Sequence, residues 1–228
     1  MTRDGAFGQL RGGAGALWTG FTGHPFVQGL GNGTLPAPAF RRYLTQDYLF
    51  LIQFARAYAL AGYKASRPAD LRAASEGFAA ILGELPLHVS YCAGWGLDEP
   101  AMAAEPEVLE TVAYTRFVLD CGAAGDLLDL DAALASCVLG YAQIGLGLNT
   151  GRAVGNPYAS WIATYAGPDY QAAAAATCGT LDRLWAERGG DARAASLQAT
   201  FDTAVRLETS FWEMGWREAG VPARLLQD

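Results

Sequence analysis

From Phe40 to Tyr63 the chain reads as one amphipathic helix with an acid inside its apolar stripe, and this stretch limits the possible folds more than any other. Tyr43, Leu44, Tyr48, Leu51, Ile52, Ala55, Tyr58 and Ala59 recur at three-and-four spacing, and Asp47 falls on the same face. An unpartnered carboxylate there would cost several kcal/mol, roughly, so the fold must supply donors or a ligand must. An arginine pair would satisfy it as well as a ligand, and the spacing alone leaves both readings open.

The last long helix, expected from Asp191 to about Ala219, repeats the pattern. Phe201, Ala204, Val205, Phe211, Trp212 and Gly215 form a stripe with Glu208 at its centre, while Asp202, Arg206, Glu213 and Arg217 lie toward the other side. An arginine partner is again the ordinary alternative. Cys137 sits among Leu134, Val138 and Tyr141 on a helix of small and apolar residues, where a cysteine is commonly an inert hydrophobe. With only His24 and His88 in the chain, any chemistry at that thiol would use a carboxylate as proton acceptor, and Glu208 is the candidate.

The organisation follows from periodicity. Strand alternation is nearly absent, so an all-α multihelical bundle is expected, with residues 1–228 forming one domain and 51% hydrophobic residues sufficient for its core. Residues 5–18 form a frayed first helix at best, and His24 to Pro36 permits one short helical turn. Pro86 should interrupt or kink the helix opened by Pro68, with His88 beyond it. A helix from Pro106 ends near Gly122, and Asp129 or Asp131 caps the next one, toward Asn149. Asn156-Pro157 leads into a short piece, Tyr158 to Tyr165, and Pro168 opens a helix toward Trp185.

Charge and cysteine usage exclude several classes. The net charge is −7 and the sole lysine is Lys64, which leaves no basic stripe for nucleic acid. Cys92, Cys121, Cys137 and Cys178 are too widely spaced for a disulfide framework or a paired-cysteine zinc site, so neither a metal nor a cofactor is expected. The glycines near residue 30 depart from a phosphate-loop spacing, and haem would lack a well-placed axial histidine. No signal peptide or membrane-spanning run is read, and a cytoplasmic location is expected.

Several blocks together resemble the TenA, or thiaminase II, family. They are His24-Pro25-Phe26-Val27-Gln28-Gly29, Gly33-Thr34-Leu35, Tyr43-Leu44 with Gln46-Asp47-Tyr48-Leu49, Tyr114, Cys137 with Tyr141 and Ile144-Gly145, Trp161-Ile162 with Tyr165, and Glu208 with Phe211-Trp212. The resemblance implies a haem-oxygenase-like bundle, a homotetramer, and an aminopyrimidine aminohydrolase that regenerates hydroxymethyl pyrimidine and also cleaves thiamin. It assigns Cys137 as nucleophile, Glu208 as acid/base and Asp47 as the carboxylate holding the pyrimidine. Phe50, Tyr114, Tyr141, Tyr165 and Phe211 become wall positions. Ser136 and Leu139 depart from the family pattern, which has Pro before the cysteine and an aromatic residue soon after it. The alternative is a non-catalytic pyrimidine- or thiamin-binding regulatory protein on the same fold.

Overall fold

The computed structural model describes residues 5–151 and 154–217, and among them every regular element is helical. In chain order these are α1 (Ala6–Ala14), α2 (Ala16–Thr22), α3 (Pro25–Asn32), α4 (Ala37–Lys64), α5 (Pro68–Ala93), α6 (Glu99–Ala104), α7 (Leu109–Ala124), α8 (Leu127–Thr150), α9 (Ala159–Ala166), α10 (Pro168–Glu187) and α11 (Ala194–Arg217). The expected extension of the last helix to Ala219 lies outside the described residues.

Two helices form the centre. α4 packs on α5, α7 and α11, while α8 packs on α7, α9, α10 and α11. Pro38 falls in the first turn of α4, where its missing N–H has no helical partner to lose. The other end is fixed by Lys64, whose Nζ donates to the carbonyls of Ala123 (3.3 Å) and Gly125 (2.6 Å) and so ties α4 to the end of α7. On α11, Phe201, Phe211 and Trp212 are buried, each contributing about 1.5–3 kcal/mol relative to exposure.

α8 begins with a capping box in which Asp126 accepts from Leu128 and Asp129 N–H and the Asp129 carboxylate accepts from Asp126 N–H. The cap is therefore Asp126, not Asp129 or Asp131, and Asp131 is released from that role. Against the sequence reading, α8 is long and apolar enough by composition to cross a membrane, yet most of it is buried inside the bundle.

Other expectations also need correction. The region after His24 forms two helical turns because His24 caps it: Nδ1 accepts from Phe26 N–H at 3.2 Å, and Gly33 closes α3 in the left-handed conformation at φ 77°. The N-terminal residues make two ordered helices, held at the start by Asp182 accepting from Ala6 N–H at 2.7 Å. α7 begins at Leu109 rather than at Pro106. Most consequentially, α5 continues through Pro86 to Ala93. Pro86 and Leu82 both face outward, so the Leu82 carbonyl that loses its helical donor is free to meet water.

Candidate active site

A cavity of about 910 Å³ lies inside the bundle, lined by residues from α4, α5, α8, α9 and α10. Its mouth is between α5 and α10, where Glu76, Ala80 and Gly83 face Ala172, Ala173 and Ala176 with exposed side chains or backbone. Asp47, Phe50, Cys137, Tyr141 and Tyr165 line it; Glu208, Tyr114 and Phe211 stand behind this wall.

Asp47 is only 5% exposed and, among the described residues, is not paired with an arginine. Its Oδ2 accepts from Tyr43 Oη, one helical turn earlier, at 2.8 Å and from His88 Nε2 at 2.7 Å. Both lone pairs of Oδ2 are thereby used, and Oδ1 has no hydrogen-bond partner among the described residues. The other ring nitrogen of His88, Nδ1, faces the Glu84 carbonyl at 3.3 Å. Both partners of the ring are acceptors, which defines an imidazolium. Burial opposes that charge, but the hydrogen bond and charge of Asp47 outweigh it and raise the His88 pKa. Glu84 also lines the cavity and accepts from Tyr165 Oη at 2.5 Å; burial raises its carboxyl above the usual range.

Glu208, at 2% exposure, likewise has no arginine partner among the described residues. Tyr114 Oη donates to its Oε1 at 2.7 Å, and Tyr114 Oη lies 3.0 Å from Ser136 Oγ. The Ser that departs from the family pattern thus supports the phenol that holds the carboxylate. Glu208 also lies beside the Cys137 thiol, close enough for each to shift the other's titration. Burial raises Glu208 to about 8, with the Tyr114 hydrogen bond and the neighbouring Cys137 thiol opposing it and the charge of Asp47 adding to it. Burial, then the negative charges of Glu208, Asp47 and Glu84, pushes the Cys137 thiol well up. The resting pair at neutral pH is therefore a thiol beside a largely protonated carboxyl.

The walls are aromatic. Phe50 lies 4.9 Å from Tyr114 and 5.6 Å from Phe211, centroid to centroid, and Tyr141 lies 5.0 Å from Tyr165. Tyr114 and Phe211 act as backing for Phe50 and Glu208 rather than as open wall. Gly145 sets the position of Tyr165: a Cβ there would come within 2.6 Å of the Tyr165 carbonyl carbon, so the close approach of α9 to α8 requires glycine.

Sequence reasoning singled out Asp47, Cys137 and Glu208; Asp47 and Cys137 line one chamber, and Glu208 lies behind its wall beside Cys137. It missed Tyr43 as a donor, and it missed Glu84 and His88. Ile81, Glu84, His88 and Cys92 continue helical spacing through Pro86, a signal that could have kept His88 on the inner face. His24 braces α3 as expected and also meets Glu213 at 3.2 Å, away from this cavity. Among the described residues no group of three His, Cys, Asp or Glu side chains is arranged to hold a metal ion.

The fold is haem-oxygenase-like. A crystal structure titled as a TenA family transcription regulator from Silicibacter sp. TM1040 is 46% identical and superposes with a TM-score of 0.88, covering 92% of this chain and 96% of that one. An uncharacterized protein of Haemophilus influenzae is 40% identical over 87% of this chain and 93% of its own length. An aminopyrimidine aminohydrolase of Halalkalibacterium halodurans is 34% identical, over 89% and 91% of the two chains. The sequence model of the TENA/THI-4/PQQC family matches residues 14–218, nearly the whole length, and this chain is a member of that family.

Proposed function

We propose that this chain is an aminopyrimidine aminohydrolase of thiamin salvage, acting as a thiaminase II on thiamin itself, with Cys137 as nucleophile and Glu208 as acid and base. The observation that carries this reading is the buried neighbourhood of Cys137 and Glu208, close enough to shift one another's titration, at the wall of a cavity that Asp47 also lines. A binding protein needs Asp47 and the rings, whereas an inward thiol beside a carboxyl has a purpose in covalent catalysis.

The chemistry can be followed proton by proton. Asp47 Oδ1 accepts from the pyrimidine amino group, and the aromatic walls hold the ring. Cys137 Sγ adds to an electron-poor ring carbon as its proton passes to ionised Glu208. The ring electrons then expel the amine from the exocyclic methylene, and Glu208 returns the proton to the leaving nitrogen. Water adds to the methylene, giving a proton to Glu208. The carbon–sulfur bond breaks, the sulfur takes the proton back, and the ring is aromatic again. The balance is aminomethyl pyrimidine plus water to hydroxymethyl pyrimidine plus ammonia. With Glu208 near 8, about a tenth is ionised at pH 7, so drawing on that form costs about 1.4 kcal/mol.

The test is release of ammonia from aminomethyl pyrimidine, with thiazole release from thiamin measured alongside. Cys137→Ser should abolish both while still binding the pyrimidine; near-normal rates in that variant would remove the thiol from the mechanism. The second reading, a pyrimidine-sensing regulator, draws on the designation of the Silicibacter relative. The charge of −7 argues against direct contact with DNA, and a pocket that binds pyrimidine without releasing ammonia would favour sensing alone.

As part of the same proposal, the protein is a cytoplasmic homotetramer of one-domain subunits that engages neither membrane nor nucleic acid. Leu71, Phe78 and Leu82 are exposed along α5 and support self-association. Light scattering at micromolar concentration reads the subunit count.

A further inference from the structure

The cavity, at about 910 Å³, is much larger than one pyrimidine ring needs, and the part lined by Asp131 has a chemistry of its own. Asp131 lines the same cavity, six residues before Cys137 on α8, which is about 9 Å along the helix axis. Its carboxylate makes no hydrogen bond or ion pair among the described residues; Oδ2 is sealed by protein, so the part-exposed side chain can offer the cavity only its other oxygen. Arg183, whose positive charge reaches Asp131, is already engaged by Asp70 at 2.5 Å and by Glu187 at 3.1 Å. Asp126 and Asp129, not Asp131, perform the capping of α8.

The wall also includes Tyr58, whose ring packs where Gly77 has no side chain. Tyr58 is near enough to both Asp131 and Cys137 to feel their charges. An aromatic wall leading to a part-buried carboxylate without a partner is suited to a donor or cation at the end of a short chain.

We propose that the Asp131 end of the cavity is a subsite for a protonated amine carried at the terminus of the substrate's leaving group. This rests on the aminopyrimidine reading of the Asp47 end. It extends the substrate class to aminopyrimidines whose methylene bears an aminoalkyl-amine rather than a bare amino group.

The experiment uses three N-alkylated aminomethyl pyrimidines of equal chain length, ending in an ammonium, a hydroxyl or a methyl group. Calorimetry on the Cys137→Ser protein measures binding without turnover. The expected affinities fall in the order ammonium, hydroxyl, methyl, with the first and last separated by at least about tenfold, the scale of a hydrogen bond to a charged group. Adding Asp131→Asn, or Asp131→Ser should the first variant fold poorly, should collapse the ranking. Equal affinities for all three, or a ranking that survives loss of the carboxylate, overturns the subsite. A ranking that holds while the wild-type protein releases no amine from any of the compounds sinks the catalytic reading and leaves the subsite standing.

Discussion

His88 Nε2 lies 2.7 Å from Asp47 Oδ2, joining α5 to α4 through a buried ion pair at the wall of the cavity. Removing the imidazole leaves a buried carboxylate with only the Tyr43 hydroxyl, so His88→Ala should destabilise the protein by about 3–5 kcal/mol in urea unfolding. The native pKa of His88 is raised above 6.5, so its stabilisation is complete below that value and is lost as pH rises through the native one. The gap between wild type and variant should therefore narrow on the alkaline side; a gap that widens there would show that the ring is neutral.

Asp47→Asn keeps the shape of the side chain but removes the charge from the oxygen that faces the ligand. Aminopyrimidine affinity should fall by roughly tenfold to a hundredfold, the scale of one charge-assisted hydrogen bond. Calorimetry reads it directly, and unchanged affinity would mean that the ring is held elsewhere.

Glu208 must start ionised to take the thiol proton, and burial raises it to about 8. The pH profile of kcat/KM for aminomethyl pyrimidine should rise nearly tenfold per unit at acid pH and level off above about 8. Tyr114→Phe deletes a hydrogen bond that favours the ionised carboxylate, so the same limb should move to higher pH. A limb that stays in place would separate Tyr114 from the titration. Glu208→Gln should cost roughly 10²–10⁴ in kcat, the usual contribution of a general acid–base group.

Gly145→Ala forces a methyl group against the backbone of α9. A loss of about 1–3 kcal/mol in stability is expected from such overpacking, together with a raised KM as Tyr165 moves off Glu84. A normal melting temperature would mean that α9 yields without consequence.

The bundle and the buried acids of α4 and α11 were legible because a carboxylate in an apolar stripe violates the helical pattern that surrounds it. Their partners were not, since a stripe reveals which way Asp47 and Glu208 face but not which tyrosine or histidine arrives from another helix. His88 was hidden by Pro86: the sequence marks a lost donor, while only the packing reveals that the orphaned carbonyl is on the wet side. Cys137 has no pattern of its own, and its assignment came from the company of family motifs. Asp131 was misread because several acids near the start of α8 offer the same local capping chemistry, and Asp126 with Asp129 takes it.

The sharing of Asp47 between protein and cavity has a kinetic consequence. With one oxygen anchored by a phenol and an imidazolium, the carboxylate is held in a single rotamer before any guest enters, and the entropic cost of fixing it falls on folding. Arrival of the pyrimidine then needs no rearrangement of its principal anchor. Encounter should proceed in one step, and differences among ligands should appear in how long they stay.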